Sequence, residues 1–166
     1  MPVAELRVGT AFDAHRLVAG RPLVLGGITI PFDLGLEGHS DADIVCHSLC
    51  DALLGAASLD DIGTHFPSED ESLRGIASVE LLARVGGLVR DAGWRLVNCD
   101  AFVIMQRPRL APYRTQMRER VAVALLTDTD RVSIRATSTD GLGFTGRGEG
   151  AACQAVALIE REPVGR

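Results

Sequence analysis

Three side chains with metal-ligating chemistry stand out in the first third of the chain. Asp13 and His15 are two residues apart at the end of an apolar run, and His47 follows about thirty residues later. One carboxylate and two imidazoles are too few to close a structural zinc site, but they match catalytic sites that keep one position open. The set suits zinc best, with manganese or iron as less favoured occupants. The alternative is that the three are unrelated polar residues.

The elements predicted around these residues bring them together. Residues 6–15 alternate as a strand does, so Asp13 and His15 project from one face. Residues 43–57 carry a helical apolar stripe, and His47 lies on a polar side of that helix. The pattern therefore predicts a metal site between a strand and the following helix.

The cysteines offer a weaker candidate site. Cys46 and Cys50 are four residues apart on the predicted helix, where we expect them to be reduced, small apolar fillers. A zinc site built from Cys46, His47 and Cys50 is poorer, because Cys46 points about 100 degrees around the helix from His47.

Strand and helix patterns alternate along the rest of the chain. A hairpin is predicted over residues 23–30, because Gly26-Gly27 permits the positive φ angles of tight turns. The other predicted elements are strands over residues 95–106, 131–137 and 151–159, helices over residues 78–92 and 112–126, and a polar loop over residues 61–71. This mixture predicts an α+β fold, an α/β sandwich whose mixed β-sheet has helices packed on one face. Apolar residues on both sides of the strands favour an oligomer.

Length and composition favour one globular domain. Of the 166 residues, 46% are hydrophobic and 23% charged, so we expect a single domain over residues 1–160 and a C-terminal tail over residues 161–166. A net charge of −5 and only 4% aromatic residues argue against a nucleic-acid partner. The apolar stretches are short and the start lacks a signal pattern, which predicts a cytoplasmic protein with no membrane partner.

Two further segments have the composition of anion-binding loops. Residues 137–150 combine five glycines with several hydroxyl side chains, so backbone N–H groups can approach an anion closely. The segment is neither a Walker loop nor a dinucleotide fingerprint, and a plain turn-rich connection explains it equally well. Arg107 and Arg109 follow a predicted strand and suit phosphates, although taken alone they are better explained as solvated side chains.

Taken together, these segments resemble the 2-C-methyl-D-erythritol 2,4-cyclodiphosphate synthase family of the non-mevalonate isoprenoid pathway. The matching segments occur in the family's order between about residue 5 and residue 160. They are residues 9–15, 38–43, 47 with 51–56, 61–63 with 66–67, 106 with 108, and 142–150.

The resemblance implies a homotrimeric lyase whose sheets face the trimer axis and whose active sites lie between neighbouring subunits. The implied substrate is 4-diphosphocytidyl-2-C-methyl-D-erythritol 2-phosphate, and the implied products are the cyclic diphosphate and CMP. The implied metal sites are zinc on Asp13, His15 and His47, and a second divalent cation, Mg²⁺ or Mn²⁺, on Asp140.

Further site residues follow from the resemblance. His39 and Ser138 are the expected donors to phosphate oxygens in the transition state. The implied substrate pocket comprises Ala14, Ser40, Asp61, Ile62, Gly63, Phe66, Pro67, Ser68, Glu69 and Asp70. The implied cytidine diphosphate site comprises Met105, Gln106, Arg107, Pro108, Arg109, Leu110, Ala111, Thr137 and Thr139. Phe144, Arg147 and Glu149 match residues that line the trimer axis in this family, where they have been linked to a pocket for isoprenoid diphosphates. The alternative explanation for these residues is a structural ion pair near the axis.

Four places depart from the family's usual pattern. Asp140 stands where Glu is common, Arg109 where Lys is common, and Ser68 where an acidic residue is frequent. Thr64-His65 replaces a Lys-containing pair, and His65 is not expected to be a metal ligand. These changes alter the reach or geometry of the groups concerned. Two other functions remain open at this stage, a zinc-dependent phosphohydrolase and a catalytically silent trimer that senses isoprenoid diphosphates.

Overall fold

A five-stranded mixed sheet forms the centre of the molecule, whose computed structural model describes residues 5–162. Its strand order is β4-β1-β7-β5-β6, and only the β5–β6 pair is parallel. The strands are β1 (Leu6–Ala19), β4 (Leu34–Leu36), β5 (Trp94–Ile104), β6 (Val132–Thr137) and β7 (Gly150–Arg161). A separate hairpin pairs β2 (Leu23–Leu25) with β3 (Ile28–Ile30).

Three long helices cover one face of this sheet. They are α1 (Ile44–Ala57), α3 (Ser78–Asp91) and α4 (Arg114–Leu125), while α2 (Ile62–His65) and α5 (Gly143–Gly146) are single turns. Short 3₁₀ turns occupy Glu71–Leu73, Ala111–Tyr113 and Thr129–Arg131. Helix α1 packs on β1, β7 and α3, and α3 packs on α4. The predicted α+β sandwich with helices on one sheet face is confirmed.

Helix α1 begins at a fully buried carboxylate. Asp43 caps the helix by accepting hydrogen bonds from the backbone N–H groups of Val45 and Cys46. The same carboxylate accepts from the N–H groups of Gly26 at 2.9 Å and Gly27 at 2.7 Å, at the turn of the β2–β3 hairpin. Asp43 therefore joins the hairpin to the first turn of α1.

A glycine in β1 lets α1 approach the sheet closely. A Cβ atom at Gly9 would lie 2.0 Å from the Ala52 carbonyl oxygen and 2.6 Å from the Ala56 nitrogen. Backbone thus lies directly against backbone at this point, which fixes the distance between β1 and α1. The C-terminal part of β1 consequently runs close beneath the first turns of α1.

The opposite face of the sheet carries exposed apolar side chains. Val8 is 67% exposed and Phe12 is 62% exposed, and Leu6 and Val156 lie on the same side. Scattered apolar residues are normal on protein surfaces, but neighbouring strands here form a patch. The expectation that the strands carry apolar residues on both faces is met.

The two ends of the described chain lie together at one end of the central strands. The Arg161 amide donates to the Glu5 carbonyl at 2.9 Å. Trp94, only 2% exposed, lies beneath the guanidinium groups of Arg7 and Arg161, each 4.3 Å from a ring centroid. The expectation of a C-terminal tail from residue 161 is wrong at Arg161, which closes β7; residues 163–166 lie outside the described residues.

Several element boundaries differ from those expected. Strand β1 continues past His15 to Ala19, because it pairs first with β7 and then with the unpredicted β4. The polar loop over residues 61–71 contains α2 and the start of a 3₁₀ turn, and the glycine-rich segment contains α5. Within the described part of the chain, no helix has the length and apolar character needed to cross a membrane.

Candidate active site

The fold brings Asp13, His15 and His47 into one cluster. Asp13 Oδ2 lies 3.1 Å from His15 Nε2 and 3.1 Å from His47 Nδ1. One ligand atom from each residue lies within 4.8 Å of the others, and all three side chains are half-buried. Strand β1 supplies the first two residues, and α1 supplies His47 one turn after its cap.

Hydrogen bonds on the outer side of each imidazole fix which nitrogen faces the cluster. His15 Nδ1 donates to the Glu37 carbonyl, which leaves the Nε2 lone pair directed at Asp13. His47 Nε2 contacts the hydroxyl oxygens of Ser78 at 2.9 Å and Ser40 at 3.1 Å, which leaves Nδ1 facing Asp13.

Asp13 Oδ2, His15 Nε2 and His47 Nδ1 therefore converge with their lone pairs facing one another. A bound cation or added protons would relieve the repulsion between these lone pairs. Two histidine ligands and one carboxylate, each held from outside, form the donor set of a divalent metal with an open coordination position. The residues present fit such an ion.

The electrostatics of the cluster follow from this arrangement. Burial opposes the ionisation of Asp13, but hydrogen bonds and positive charge from His15 and His47, when both ring nitrogens are protonated, outweigh it and lower the pKa of the carboxyl well below its usual range. The hydrogen bond to Asp13 raises the pKa of His15, although burial opposes the shift. The carboxylate is thus ionised at neutral pH, and a proton competes with a metal for His15.

The cluster opens into a cavity of about 330 Å³ beside α2 and α3. Six of the predicted substrate or catalytic residues line it together with the metal cluster. They are His39, Ser40, Ile62, Gly63, Phe66 and Ser68. The apolar side chains of Leu73, Ile76 and Leu81 also line this cavity, although no sequence motif marks them as site residues. The only sequence signal was the position of Leu81 in the apolar stripe of the second long helix.

Other predicted pocket residues lie outside this lining. The Asp61 carboxylate caps α2 through the Thr64 N–H at 2.8 Å, and the Asp70 carboxylate caps the next turn through the Ser72 N–H at 3.0 Å. Ala14, Pro67 and Glu69 are exposed. In this protomer, the two aspartates shape the loop around the cavity.

The predicted nucleotide residues line a second cavity of about 490 Å³ between the β5 and β6 ends. It contains Met105, Gln106, Pro108, Arg109, Leu110, Ala111, Thr137 and Ser138. Arg114 and Ala136 also line it and were not identified from the sequence. Arg107 and Thr139 do not line it; Arg107 precedes a cis peptide bond to Pro108, and Thr139 Oγ1 bonds to the Leu142 carbonyl at 2.6 Å.

Asp140 lies at the edge of this second region and outside the metal cluster. Its Oδ1 accepts a hydrogen bond from Ser138 Oγ at 3.1 Å, and its backbone has φ of 51°. Within residues 5–162, the only group of three or more potential metal-ligating side chains is Asp13, His15 and His47. The role of Asp140 toward a second cation therefore stays a prediction.

A third, smaller cavity lies behind the metal strand. It measures about 250 Å³ and is lined by Ala14, His15, Arg16, Phe144, Glu149 and Gly150. Arg147 does not line it, because its guanidinium pairs with Glu149 at 2.8 Å on the surface. The ion pair weighed in the sequence analysis is present in the protomer.

Comparison with known proteins identifies a consistent set of relatives. A family model described as the YgbB family matches residues 6–160. A 2-C-methyl-D-erythritol 2,4-cyclodiphosphate synthase of Symbiobacterium thermophilum is 56% identical over 152 residues, covering 92% of this chain and 97% of the relative.

Solved structures show the same fold. The bifunctional IspDF of Campylobacter jejuni superposes with a TM-score of 0.92 at 39% identity, over 96% of this chain and 43% of that longer chain. A CDP-bound form of 2C-methyl-D-erythritol-2,4-cyclodiphosphate synthase superposes with a TM-score of 0.84 at 35% identity, over 92% and 99% of the two chains.

Proposed function

This chain belongs to the YgbB family of enzymes, and we propose that it is the lyase that forms 2-C-methyl-D-erythritol 2,4-cyclodiphosphate. The proposed substrate is 4-diphosphocytidyl-2-C-methyl-D-erythritol 2-phosphate, and the second product is CMP. The observation that carries the proposal is the cluster of Asp13, His15 and His47 at the wall of a 330 Å³ cavity.

The metal chemistry of this proposal rests on the donor set. Asp13, His15 and His47 would hold a divalent ion, for which zinc is the best match among common metals. When bound, the ion supplies Lewis-acid polarisation of a phosphoryl oxygen. The outer contacts of the two imidazoles keep their ligating nitrogens directed inward. The apolar side chains of the cavity exclude water from the reacting groups.

The reaction requires charge compensation more than proton transfer. The 2-phosphate is already ionised and belongs to the same molecule as the diphosphate that it attacks, so positioning replaces a general base. Two unit charges about 4 Å apart repel by roughly 4 kcal/mol at an effective dielectric constant near 20. Cationic and hydrogen-bonding groups aimed at these oxygens offset that repulsion.

Protein donors are available on both sides of the reaction. His39 lines the metal cavity, and Ser138 lines the nucleotide cavity, so each is placed to donate to phosphate oxygens of a ligand held there. Arg109 and Arg114 bring positive charge to the nucleotide cavity, whose lining among residues 5–162 contains no acidic side chain. We infer that the cytidine diphosphate portion binds here, in accord with the CDP-bound relative, and that Asp140 holds a second divalent cation, Mg²⁺ or Mn²⁺, beside it.

The two cavities belong to a site shared between subunits in this proposal. They have no lining residue in common within one protomer. The exposed apolar face of the sheet, including Val8 and Phe12, offers a surface for two further copies. A homotrimer with its sheets facing the axis would bring the metal cavity of one protomer to the nucleotide cavity of the next.

The axial region supplies one further proposal. In such a trimer the 250 Å³ cavity beside Phe144 faces the axis, where an isoprenoid diphosphate would find an aromatic wall. Arg147 would reach its diphosphate only by leaving Glu149, whose carboxylate holds it at 2.8 Å. A structural ion pair therefore competes with this role.

Product analysis with the cytidine-linked substrate tests the reaction. Phosphorus NMR should show the cyclic diphosphate and CMP from the zinc-loaded protein, and neither from His47→Ala. A matched control is His65→Ala, because His65 Nε2 bonds to the Leu59 carbonyl at 2.7 Å and lies outside the metal cluster. A linear phosphate product would instead indicate a phosphohydrolase, and no turnover with intact zinc binding would favour a silent binding protein.

Complementation tests whether the site is shared. His47→Ala and Arg109→Ala each disable one half of the site and should be inactive alone. Co-expressed in equal amounts, they should recover about a quarter of the normal activity. Half of the protomers would carry an intact metal cavity, and half of their neighbours would carry an intact nucleotide cavity, so about one site in four would be complete. A site contained in one chain would recover none.

A further inference from the structure

A buried chain of hydrogen bonds connects the metal cluster to the start of α3. Ser78 is the first residue of α3 and is fully buried. Its hydroxyl oxygen lies 2.9 Å from His47 Nε2, on the side of the ring away from Asp13. The same hydroxyl also makes a short contact with Asp41 Oδ1.

The chemistry of these groups fixes the direction of each hydrogen bond. The Ser78 hydroxyl donates its single proton to Asp41 Oδ1. The Ser78 oxygen must then accept from His47, which places the imidazole proton on Nε2. His47 Nδ1 is left with a lone pair facing Asp13 Oδ2 at 3.1 Å, as metal ligation requires.

We propose that Asp41 and Ser78 are positioning residues that set the tautomer and orientation of the metal ligand His47. The arrangement is a carboxylate–hydroxyl–imidazole relay, comparable to the carboxylate–histidine pairs that support metal ligands elsewhere. Neither residue lines the cavity at the metal cluster, so neither acts on substrate directly.

The carboxylate of Asp41 is itself held in place by the backbone. It accepts from the Asp43 N–H at 3.2 Å and from the Ser78 N–H at 3.1 Å. The Asp41 N–H donates to the Ile76 carbonyl at 3.2 Å. The relay is therefore anchored to the segments that begin both α1 and α3.

The second serine near His47 does not duplicate this role. Ser40 Oγ lies farther from His47 Nε2, at 3.1 Å, and accepts from the Ala42 N–H at 3.1 Å. Ser40 also lines the metal cavity, and its hydroxyl lies 3.2 Å from Ser78 Oγ. Ser40 has no carboxylate partner among its contacts in the described residues, so it imposes no direction on the His47 proton.

Zinc affinity, measured by competition with a chromophoric chelator, tests the relay. Ser78→Ala should weaken zinc binding by roughly 10- to 100-fold, the usual cost of losing such a support. The matched control is Ser48→Ala, which removes an equally buried hydroxyl from the neighbouring residue on α1, where it donates to the Cys153 carbonyl at 3.0 Å. Ser48→Ala should bind zinc within about threefold of the unsubstituted protein.

Two spectroscopic readouts separate positioning from general loosening. Nitrogen-15 NMR of the metal-free protein should show His47 protonated on Nε2. In Asp41→Ala, the Ser78 hydroxyl loses its carboxylate acceptor and is free to donate to His47 Nε2, so the Nδ1-protonated tautomer should appear. Cobalt substitution should give altered visible bands in Ser78→Ala, with Ser78→Thr closer to the unsubstituted spectrum because it restores a hydroxyl.

The inference rests on the metal centre of the proposed function and not on its reaction. If the unsubstituted protein bound no zinc, the proposed function would fail. If it bound zinc, but Ser78→Ala did so with equal affinity, or His47 carried its proton on Nδ1, the relay alone would be overturned. Should Ser78→Ala not fold, the NMR tautomer of the unsubstituted protein and of Asp41→Ala decides the matter.

Discussion

The buried carboxylate of Asp43 should be worth far more to stability than an ordinary helix cap. Asp43 Oδ1 accepts hydrogen bonds from the N–H groups of Gly26, Val45 and Cys46, while Oδ2 accepts from Gly27 alone. Oδ1 therefore accepts three hydrogen bonds and Oδ2 accepts one. Replacement by alanine and by asparagine should consequently have different costs.

The size of each cost follows from these contacts. Asp43→Ala removes a helix cap worth about 1–2 kcal/mol and leaves two further donors of the hairpin turn without partners, at about 1–3 kcal/mol each. We expect a loss of about 3–8 kcal/mol in the free energy of unfolding. Asp43→Asn can keep its carbonyl oxygen at the Oδ1 position, so only the Gly27 N–H meets an opposing donor, and we expect a loss of about 1–3 kcal/mol.

Urea unfolding of the metal-free protein at a fixed protomer concentration measures both values, because metal binding and oligomerisation would otherwise shift the midpoint. Asp33→Asn is the control, since Asp33 is exposed, and it should change stability by less than about 0.5 kcal/mol. Equal losses for the alanine and asparagine variants would refute the assignment of the two oxygens. A loss below about 1 kcal/mol for Asp43→Ala would refute the role of the carboxylate.

Three other predictions concern the sheet, the metal and the second cation. Gly9→Ala should cost about 3 kcal/mol or prevent folding, because its Cβ would meet the Ala52 carbonyl at 2.0 Å; urea unfolding within about 0.5 kcal/mol of the unsubstituted protein would contradict this. Zinc affinity should fall as the pH drops through the raised pKa of His15, because Asp13 stays ionised while the imidazole gains a proton; a chelator titration that is flat between about pH 5 and 8 would contradict it. The folding stability of the metal-free protein should depend on pH in the opposite sense. The contact between protonated His15 and Asp13 stabilises the fold below the ordinary histidine pKa, and this stabilisation is lost as the pH rises through the raised pKa of His15. Asp140→Ala should lower turnover while zinc stoichiometry is retained, and full activity would remove its proposed role.

Local patterns in the sequence predicted the elements that carry the metal cluster. Alternation in β1 placed Asp13 and His15 on one face, and the helical stripe of α1 placed His47 within reach. The longer segments succeeded because burial of one face imposes a period on the sequence. The resemblance to a family, rather than any local pattern, supplied the residues of the two substrate cavities.

The parts that were missed depend on contacts distant in sequence. Strand β4 has only three residues, one of them Gly35, and exists because β1 continues far enough to pair with it. Leu73 and Ile76 face the metal cavity through the turn that follows Asp70, and a polar loop has no period that would reveal this. Likewise, the His47–Ser78 contact joins residues 31 positions apart, and neither residue type predicts it alone.

The packing of Arg7 and Arg161 on the Trp94 ring holds the two ends of the described chain together. Because Glu5 and Arg161 are hydrogen-bonded neighbours, polypeptide fused ahead of residue 5 or behind residue 162 would leave from one corner of the molecule. Asp13 lies eight residue steps along the extended strand from Glu5, roughly 26 Å at 3.3 Å per residue. A second module tethered at that corner would therefore begin at the end of β1 opposite to the metal ligands.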